Sequence, residues 1–419
     1  MFLPMMKLHK LFILSLFFLS RSSAKTCPMP YHSSPLIDDA PAITTAVNLC
    51  GANSTILFQP NVTYHLLTPL SFTNLTSVKF LFQGNVSLSE NITAVQSVVN
   101  NSRVYPGRWI TIKGSDVSFE GGGEGGGGWF LAYGENWWRS NGGLGLGGRP
   151  HWFGFTVDGL TIRNIKVLNP VAWVFSIGGS NVEMRDVLID ARSSDGFPFN
   201  TDGIDLSGSN VLIDGLEIHN GDDVINISPP ATNVTVRNII ASGTHGLSVS
   251  CSSGTGGNYT FENAYIYDSL MAARFKGQLG KTCNMSDVTW RNIEVRNVSF
   301  PIHFIEDYYD QGKGVPNGTD GSMAAYAKGF RWEGINGSVA DVVGDGSCLS
   351  DPCWYATTDE SPNNGLYLLC HDHAHCEDFY FDKINLTTAN GTMAGEVCTG
   401  LEGVEDMGIL CVNGTISAN

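Results

Sequence analysis

One short phrase recurs along the chain from Val157 onward. It reads Val157-Asp-Gly-Leu-Thr-Ile-Arg-Asn-Ile, Asn181-Val-Glu-Met-Arg-Asp-Val, Asn210-Val-Leu-Ile-Asp-Gly-Leu-Glu-Ile, Asn233-Val-Thr-Val-Arg-Asn-Ile and Asp287-Val-Thr-Trp-Arg-Asn-Ile. Within a copy apolar and polar residues alternate, as at Val234, Val236 and, past a turn, Ile239, which is the period of a half-buried strand. Each copy therefore predicts two short strands around a turn. The copies recur at about 23 to 29 residues, too far apart for hairpins in a meander and too close for the roughly 40 residues of a propeller blade. One circuit of a right-handed parallel β-helix per copy fits, giving an all-β solenoid. Weaker copies at 77–88, 109–119, 328–335 and 376–386 extend the array toward both ends. The spacing predicts one domain over residues 25–419, although the length would allow two or three.

The end coils of a solenoid expose apolar edges and need caps. Asp38 to Cys50, with Ala40, Ile43, Ala46 and Val47 at helical spacing, predicts a short N-terminal capping helix. The cysteine-rich stretch after Cys348 is the matching candidate at the other end.

Residues 1–24 read as a secretory signal: Lys7, His9 and Lys10, the apolar run Leu11 to Leu19, then Ser22-Ser23-Ala24. The run is shorter than the roughly 20 residues of a membrane span, and no later segment qualifies, so a secreted, extracellular, monomeric protein is expected. All 10 cysteines follow the signal, and export places them where disulfides persist. Cys348 with Cys353, Cys370 with Cys376 and Cys27 with Cys50 are close enough in sequence to close local loops. That would leave Cys251 with Cys283 and Cys398 with Cys411, although spacing does not fix the connectivity. About sixteen Asn-x-Ser/Thr sites, among them Asn53, Asn61, Asn74, Asn85, Asn91, Asn297 and Asn385, suit a glycosylated export or simply a turn-rich chain. Asn226 is a poor acceptor because Pro229 follows its sequon.

The formal net charge is −16. Nucleic acid is excluded as a partner, since no basic stripe is present to neutralise phosphates. An acidic glycan would also be repelled, so binding one would depend on a few local cations or on an acidic medium.

Two local features carry less. Gly121 to Gly128 lacks the Lys-Ser/Thr of a phosphate loop and reads as a flexible turn. His371, His373 and His375 alternate beside Asp372 and read as a solvated loop in preference to a metal site. No cofactor or metal is expected.

Four short signatures follow one another at gaps of roughly 20 to 30 residues: Asn200-Thr201-Asp202-Gly203, Gly221-Asp222-Asp223, Gly243-Thr244-His245-Gly246 and Arg274-Phe275-Lys276. Singly, Asp-Asp and Asn-Thr-Asp-Gly are turn chemistry. At one coil per gap they stack into a column, because equivalent strands of neighbouring coils lie about 4.8 Å apart. Glycoside hydrolysis needs one protonated carboxyl to serve the leaving oxygen and a second carboxylate as nucleophile or water activator. Crowding Asp202, Asp222 and Asp223 raises the affinity of at least one for its proton. His245 would hydrogen-bond a carboxylate and hold its orientation. Arg274 and Lys276 alternate, face one side of a strand, and would bind a sugar carboxylate. Tyr309 would lie near the same column and stack on a sugar ring.

These signatures resemble those of glycoside hydrolase family 28, the polygalacturonases, over most of the mature chain. Arg149-Pro150-His151, Phe197-Pro-Phe-Asn-Thr-Asp-Gly203 and Cys348-Leu-Ser-Asp-Pro-Cys-Trp-Tyr355 look most like fungal extracellular, exo-acting members. The resemblance implies a right-handed parallel β-helix and inversion at the anomeric carbon of α-1,4-linked polygalacturonate, the acidic polysaccharide of plant pectin. It implies Asp222 as general acid, Asp202 and Asp223 as water activators, and His245 as their support. Arg274, Lys276, Tyr309 and Asn200 would bind substrate. Departures exist: Val224 and Ala241 replace a usual cysteine pair, Leu247-Ser-Val-Ser-Cys251 replaces an Ile-Gly-Ser-Leu-Gly type of run, and Phe275 replaces a common Ile.

An endo-acting enzyme or a rhamnogalacturonan or xylogalacturonan hydrolase is an alternative on the same motifs. A lyase-like eliminase fits poorly, since it would use a lone base and often calcium. A non-catalytic pectin-binding wall protein has no use for a proton donor. The segment from Trp129 through Trp152 reads as a wall closing one end of a groove, as core packing, or as a platform of aromatic subsites.

Overall fold

The computed structural model describes residues 25–122, 127–140, 147–310, 323–356 and 361–416. The signal sequence at 1–24 and Gly123 to Gly126 of the glycine run lie outside the described residues.

The strands wind as a parallel β-helix. One inward-facing row runs Phe153, Phe175, Ile204, Ile225, Leu247, Ala273, Ile302 and Leu366, each the register partner of the next across a parallel pairing. All eight are buried. Alternation along each strand sends one residue into this core and the next outward, so a stack of inward rows implies an equally regular stack of outward ones. The core is aromatic toward both ends: Phe58, Phe82, Phe119, Phe153 and Phe175 pack one on the next, stacked, tilted or edge-on, with centroids 4.4 to 5.4 Å apart. Trp290, Trp332 and Phe381 stack further on, at 5.6 and 4.5 Å. Between them the coils around residues 204–249 are filled by Ile, Leu and Val.

The first residue of the recurring phrase has a physical reason to be Asn or Asp. Asn181, Asn210, Asn233, Asn258 and Asp287 all have φ between 55° and 61°, a left-handed turn that Asn and Asp tolerate best among residues with a side chain. Their side chains form a ladder. Asn181 Nδ2 donates to Asp158 Oδ1 at 2.7 Å, Asn210 to Asn181 at 3.3 Å, Asn233 to Asn210 at 2.9 Å and Asn258 to Asn233 at 3.3 Å. Asn258 marks a copy of the phrase that the sequence reading passed over, and it completes the series between Asn233 and Asp287.

The capping helix spans Ala40–Cys50 and buries Ala40, Ile43 and Val47 against the first coils. Cys27–Cys50 ties it to the strand Lys25–Pro28. All five proposed cysteine pairs form: Cys27–Cys50, Cys251–Cys283, Cys348–Cys353, Cys370–Cys376 and Cys398–Cys411. Val224 and Ala241, at the positions without the usual pair, are both wholly buried among aliphatic residues.

The C-terminal cap differs from expectation. Residues 364–399 continue the helix, with Asn364–Leu369 pairing to Cys283–Ile305 and Gly395–Thr399 pairing to Asn364–Leu369. Gly414–Thr415 closes the end as an antiparallel strand. The Cys348–Cys353 loop lies elsewhere, over the outward face of the central coils. The tryptophans of the insertion resolve toward core packing, since Trp137, Trp138 and Trp152 are each 1% exposed. His375 is buried too, not solvated. It pairs with Asp372 at 2.8 Å and stacks on Tyr326 at 4.5 Å.

Candidate active site

The four signatures do stack. Each is joined to the coil beside it through its backbone: Gly203 N–H donates to Asp223 C=O, and His245 N–H donates to Asp222 C=O, both at 2.9 Å. Side chains lock the turns. Asn220 Nδ2 lies within hydrogen-bond distance of the carbonyls of Thr201, Asp222 and Asp223 (2.9 to 3.1 Å), and Thr244 Oγ1 donates to Asp222 C=O at 2.7 Å. Gly243 and Gly246 have φ of 70° and 98°, and a Cβ on either would lie 2.4 or 2.5 Å from the carbonyl oxygen of Asn220 or Ala272. The signature needs glycine on both sides of Thr244-His245 for that reason.

The outward row below the site runs Ser176, Asp205, Asn226, Ser248 and Arg274 in register. Above it a cavity of about 430 Å³ is lined by Asn200, Asp202, Asp205, Asp222, Asp223, His245, Arg274 and Lys276, with Trp173, Tyr308 and Trp354 among its walls. That volume lies in the range of small-ligand sites. One oxygen from each of Asp202, Asp222 and Asp223 lies within 4.8 Å of the others. The positive charge this crowding demands comes from the protein. Asp223, 1% exposed, receives Arg274 Nη1 at 3.1 Å, Lys276 Nζ at 2.6 Å and Ser248 Oγ at 2.5 Å.

His245 bridges two carboxylates, with Nδ1 3.2 Å from Asp222 Oδ1 and Nε2 2.9 Å from Asp345 Oδ2. Burial alone would lower its proton affinity, but Asp222 and Asp345 outweigh it and push His245 up to about 9. The ring is an imidazolium at acidic and neutral pH. Burial would raise Asp222, yet His245, with Lys276 and Arg274, holds it well below the ordinary carboxylate range. Asp202 goes the other way. Burial and then the charge of Asp222 push it well up, and its Oδ1 is buried without a hydrogen-bond partner among the described residues. Asp205 is raised to about 7 by burial and by Asp223. The free cluster thus keeps a proton on Asp202 and another on His245, with Asp222 ionised between them.

Arg274 holds its guanidinium 4.9 Å from the ring centre of Trp354 and 5.4 Å from that of Tyr308. Its Nη1 is committed to Asp223, while Nε and Nη2 are buried with no hydrogen-bond partner among the described residues. That leaves free the planar edge that takes a carboxylate in a fork. Asn200, at φ 53°, is clamped from outside by Arg149 Nη2 at 2.6 Å and reaches Asp222 Oδ2 with its Nδ2 at 3.3 Å.

Seven of the eight sequence-derived residues meet in this cavity; Tyr309 does not. Its ring packs among Leu270, Phe300, Trp354 and Tyr367, and its hydroxyl donates to Cys353 C=O at 2.8 Å. Tyr308 takes the wall position instead. The preceding strand ends at Ile305, so no alternation carries over to decide between the two tyrosines. Residues the sequence reading missed are Asp345, Trp354, Trp173, Asp205 and Arg149. Asp345 lies 100 residues beyond His245 in a stretch without the coil phrase; Asp205 had a signal, being two residues after Gly203.

Clustered carboxylates with an imidazolium and two cations, in a cavity over an outward row of a parallel β-helix, define a glycoside hydrolase. The family model of Glycosyl hydrolases family 28 matches residues 53–345, and the chain belongs to that family. It is 34% identical over 417 residues to a probable exopolygalacturonase C of Aspergillus niger, covering 95% of this chain and 93% of that one. It is 25% identical over 390 residues to exopolygalacturonase rpg13 of Rhizopus delemar, with 91% of each covered. Among solved structures it resembles endo-xylogalacturonan hydrolase from Aspergillus tubingensis, with a TM-score of 0.69 and 20% identity over 94% of this chain and all of that one. It also resembles a hyperthermoactive exopolygalacturonase from Thermotoga maritima, with a TM-score of 0.61 and 14% identity over 89% and 90%. These likenesses agree with the right-handed parallel β-helix.

Proposed function

We propose that the protein is a secreted, monomeric exo-polygalacturonase, a single domain over 25–419 that hydrolyses α-1,4-galacturonosyl linkages of pectic polygalacturonate. The observation that carries this reading is the free Nε–Nη2 edge of Arg274, buried beside a carboxylate cluster that already holds protons. A fork donor in a chain of net charge −16 selects a carboxylate-bearing sugar, and the neighbouring carboxylates supply glycosidic acid and base.

In this reading Asp222 protonates the leaving oxygen, and Asp202 with Asp223 directs water at the anomeric carbon with inversion. Asp222 is ionised in the free cluster, so it must be loaded. Lys276 and Arg274 are among the charges that keep it ionised. A sugar carboxylate on Arg274 neutralises part of that field, raises the proton affinity of Asp222 and draws a proton from Asp202 or His245. Substrate binding thereby arms the acid. The carboxylate oxygens approach more closely than the roughly 6.5 Å or more usual for inverting pairs, so the product anomer is a direct check: the β-anomer should appear first in proton NMR, and the α-anomer would exclude inversion. Export of the chain after removal of 1–24 agrees with five disulfides. The central test is Asp222→Asn, expected to cut release of reducing ends from polygalacturonate on the order of 10²–10⁴-fold with an unchanged circular dichroism spectrum; near-normal activity would sink the proposal.

A further inference from the structure

The floor of the cavity does not stop at the catalytic cluster. From Asp205 the outward row continues toward the N-terminus through Ser176, Gly154, Thr111 and Ser71, each in register with the next. A second cavity of about 480 Å³ lies over that stretch, lined by Ser71, Thr111, Lys113, Ser176 and Asp205 among others, with Arg108 at its edge. Asp205 lines both cavities. The floor is therefore one track with polar residues along it and Lys113 beside it, of the chemistry that an acidic polymer would follow, and something divides it into two rooms.

The divider is a stack of three side chains. Trp173 lines the catalytic cavity and not the second one. His151 lies on Trp173 with ring centres 4.6 Å apart, and the Arg108 guanidinium sits 5.4 Å from the Trp173 ring centre. Arg108 is pinned from below and from the side. Its Nε and Nη2 donate to Ser176 Oγ at 2.9 and 2.6 Å, and its Nη1 lies 3.0 Å from His151 Nδ1. It crosses the track above Gly154, where a Cβ would come within 2.9 Å of Arg108 Cγ. The track thus carries glycine where the barrier crosses it. Burial, with Arg108 and Arg149 nearby, lowers His151 to about 3, so the stack keeps one charge state from weakly acidic to neutral pH.

We infer that the Trp173–His151–Arg108 stack is the specificity determinant that makes the catalytic cavity a dead end, admitting the terminal sugar of an acidic chain and refusing the units that would lie beyond it over Ser176 and Gly154. The inference rests on the exo-acting reading above and adds which residues impose it. Removing the stack joins two polar rooms already connected through Asp205 and places Lys113 beside the newly admitted sugars.

The test follows early products from a long oligogalacturonide, together with viscosity loss of polygalacturonate per reducing end released, for the wild type, Trp173→Ala, Trp173→Phe and Arg108→Ala. The wild type should release monomer alone. Trp173→Ala and Arg108→Ala should release dimers and longer products early and give a several-fold larger viscosity loss per bond cut, whereas Trp173→Phe, which keeps a ring against His151, should stay close to the wild type. Trp173 is half-buried and outside the apolar core, and melting curves identify any variant that has lost its fold. A ladder of products from the wild type would overturn the exo-acting reading itself. Monomer alone from wild type, Trp173→Ala and Arg108→Ala alike would leave that reading standing and overturn the role of the stack.

Discussion

Two columns run along this solenoid, and both repeat polar residues at coil spacing. In the turn ladder from Asp158 to Asn258, each amide gives a hydrogen to the coil before it, and Asn181, Asn210 and Asn233 also accept from the coil after them. In the column of signatures from Asp202 through Asp222, Asp223 and His245 to Arg274 and Lys276 the stacked groups are acids and cations, and the geometry satisfies them unevenly. Asp223 is surrounded by donors, while Asp202 Oδ1 and the outer edge of Arg274 have no partner among the described residues. The same architectural device yields a structural spine where the residues are self-complementary and a reactive surface where they are not. Buried groups without partners cost stability, and here that cost falls where a substrate would remove it.

Breaking each column should have a distinct signature. The largest effect is expected at Arg274. Arg274→Ala leaves Asp223 buried with one cation fewer, which should cost about 3 to 5 kcal/mol and raise KM for polygalacturonate at least about tenfold through loss of charge-assisted hydrogen bonds. Denaturant unfolding with steady-state kinetics reads both; a stable variant with unchanged KM would show that the column is structural. Asn233→Ala, in the ladder, should cost about 2 to 3 kcal/mol from two hydrogen bonds and a strained left-handed residue while leaving kcat within a factor of about two. Asn233→Gly should recover the strain portion, and a loss of activity in either variant would blur the distinction between the columns.

A smaller effect is expected from Asp345→Asn. His245 then loses one of the two carboxylates that raise it to about 9, so the alkaline limb of kcat/KM should move to lower pH by roughly one unit; an unmoved limb would disconnect Asp345 from the proton chemistry. The slightest effect is a drift of thermal stability with pH. Asp205, Glu396 and Glu306 are raised by burial to about 7, 7 and 8, and His245, against the effect of its burial, is raised by Asp222 and Asp345 to about 9. In each the folded state binds more protons than the unfolded one above pH about 6.5, so stability falls as pH rises toward 9. His151 and His303, both lowered by burial to about 3, act the opposite way, but only below about pH 6.5. The melting temperature should therefore decline from pH 6.5 to 9, and a rise across that window would contradict the assigned proton positions.

How much of this was legible in the sequence follows from the same contrast. Wherever a residue lies on a coil, the period announces its neighbours, so the β-helix, the capping helix and seven of the eight site residues could be read from spacing and resemblance. Asp345, Trp354 and Tyr308 sit in connections, where no period fixes which way a side chain points; the expectation that Tyr309 faces the site has no such rule behind it. Trp137 and Trp138 were equally ambiguous as core or wall, because burial in an insertion depends on what it folds against. Proton placement was legible only in part. Crowding announced that one carboxyl would keep a proton, but which one depends on His245 being flanked by a second, distant carboxylate.

The strict register of the outward row also limits how such a chain can change over generations. Adding or deleting a single residue within Ile225–Ile227 would exchange the inward Ile for the outward Asn226, drowning a polar group in the core and turning the floor of the cavity apolar. Length can vary only at the turns. Lineages built on this coil would therefore be expected to diversify through connections such as 341–356, lengthening or trimming the walls while the floor beneath them keeps its count.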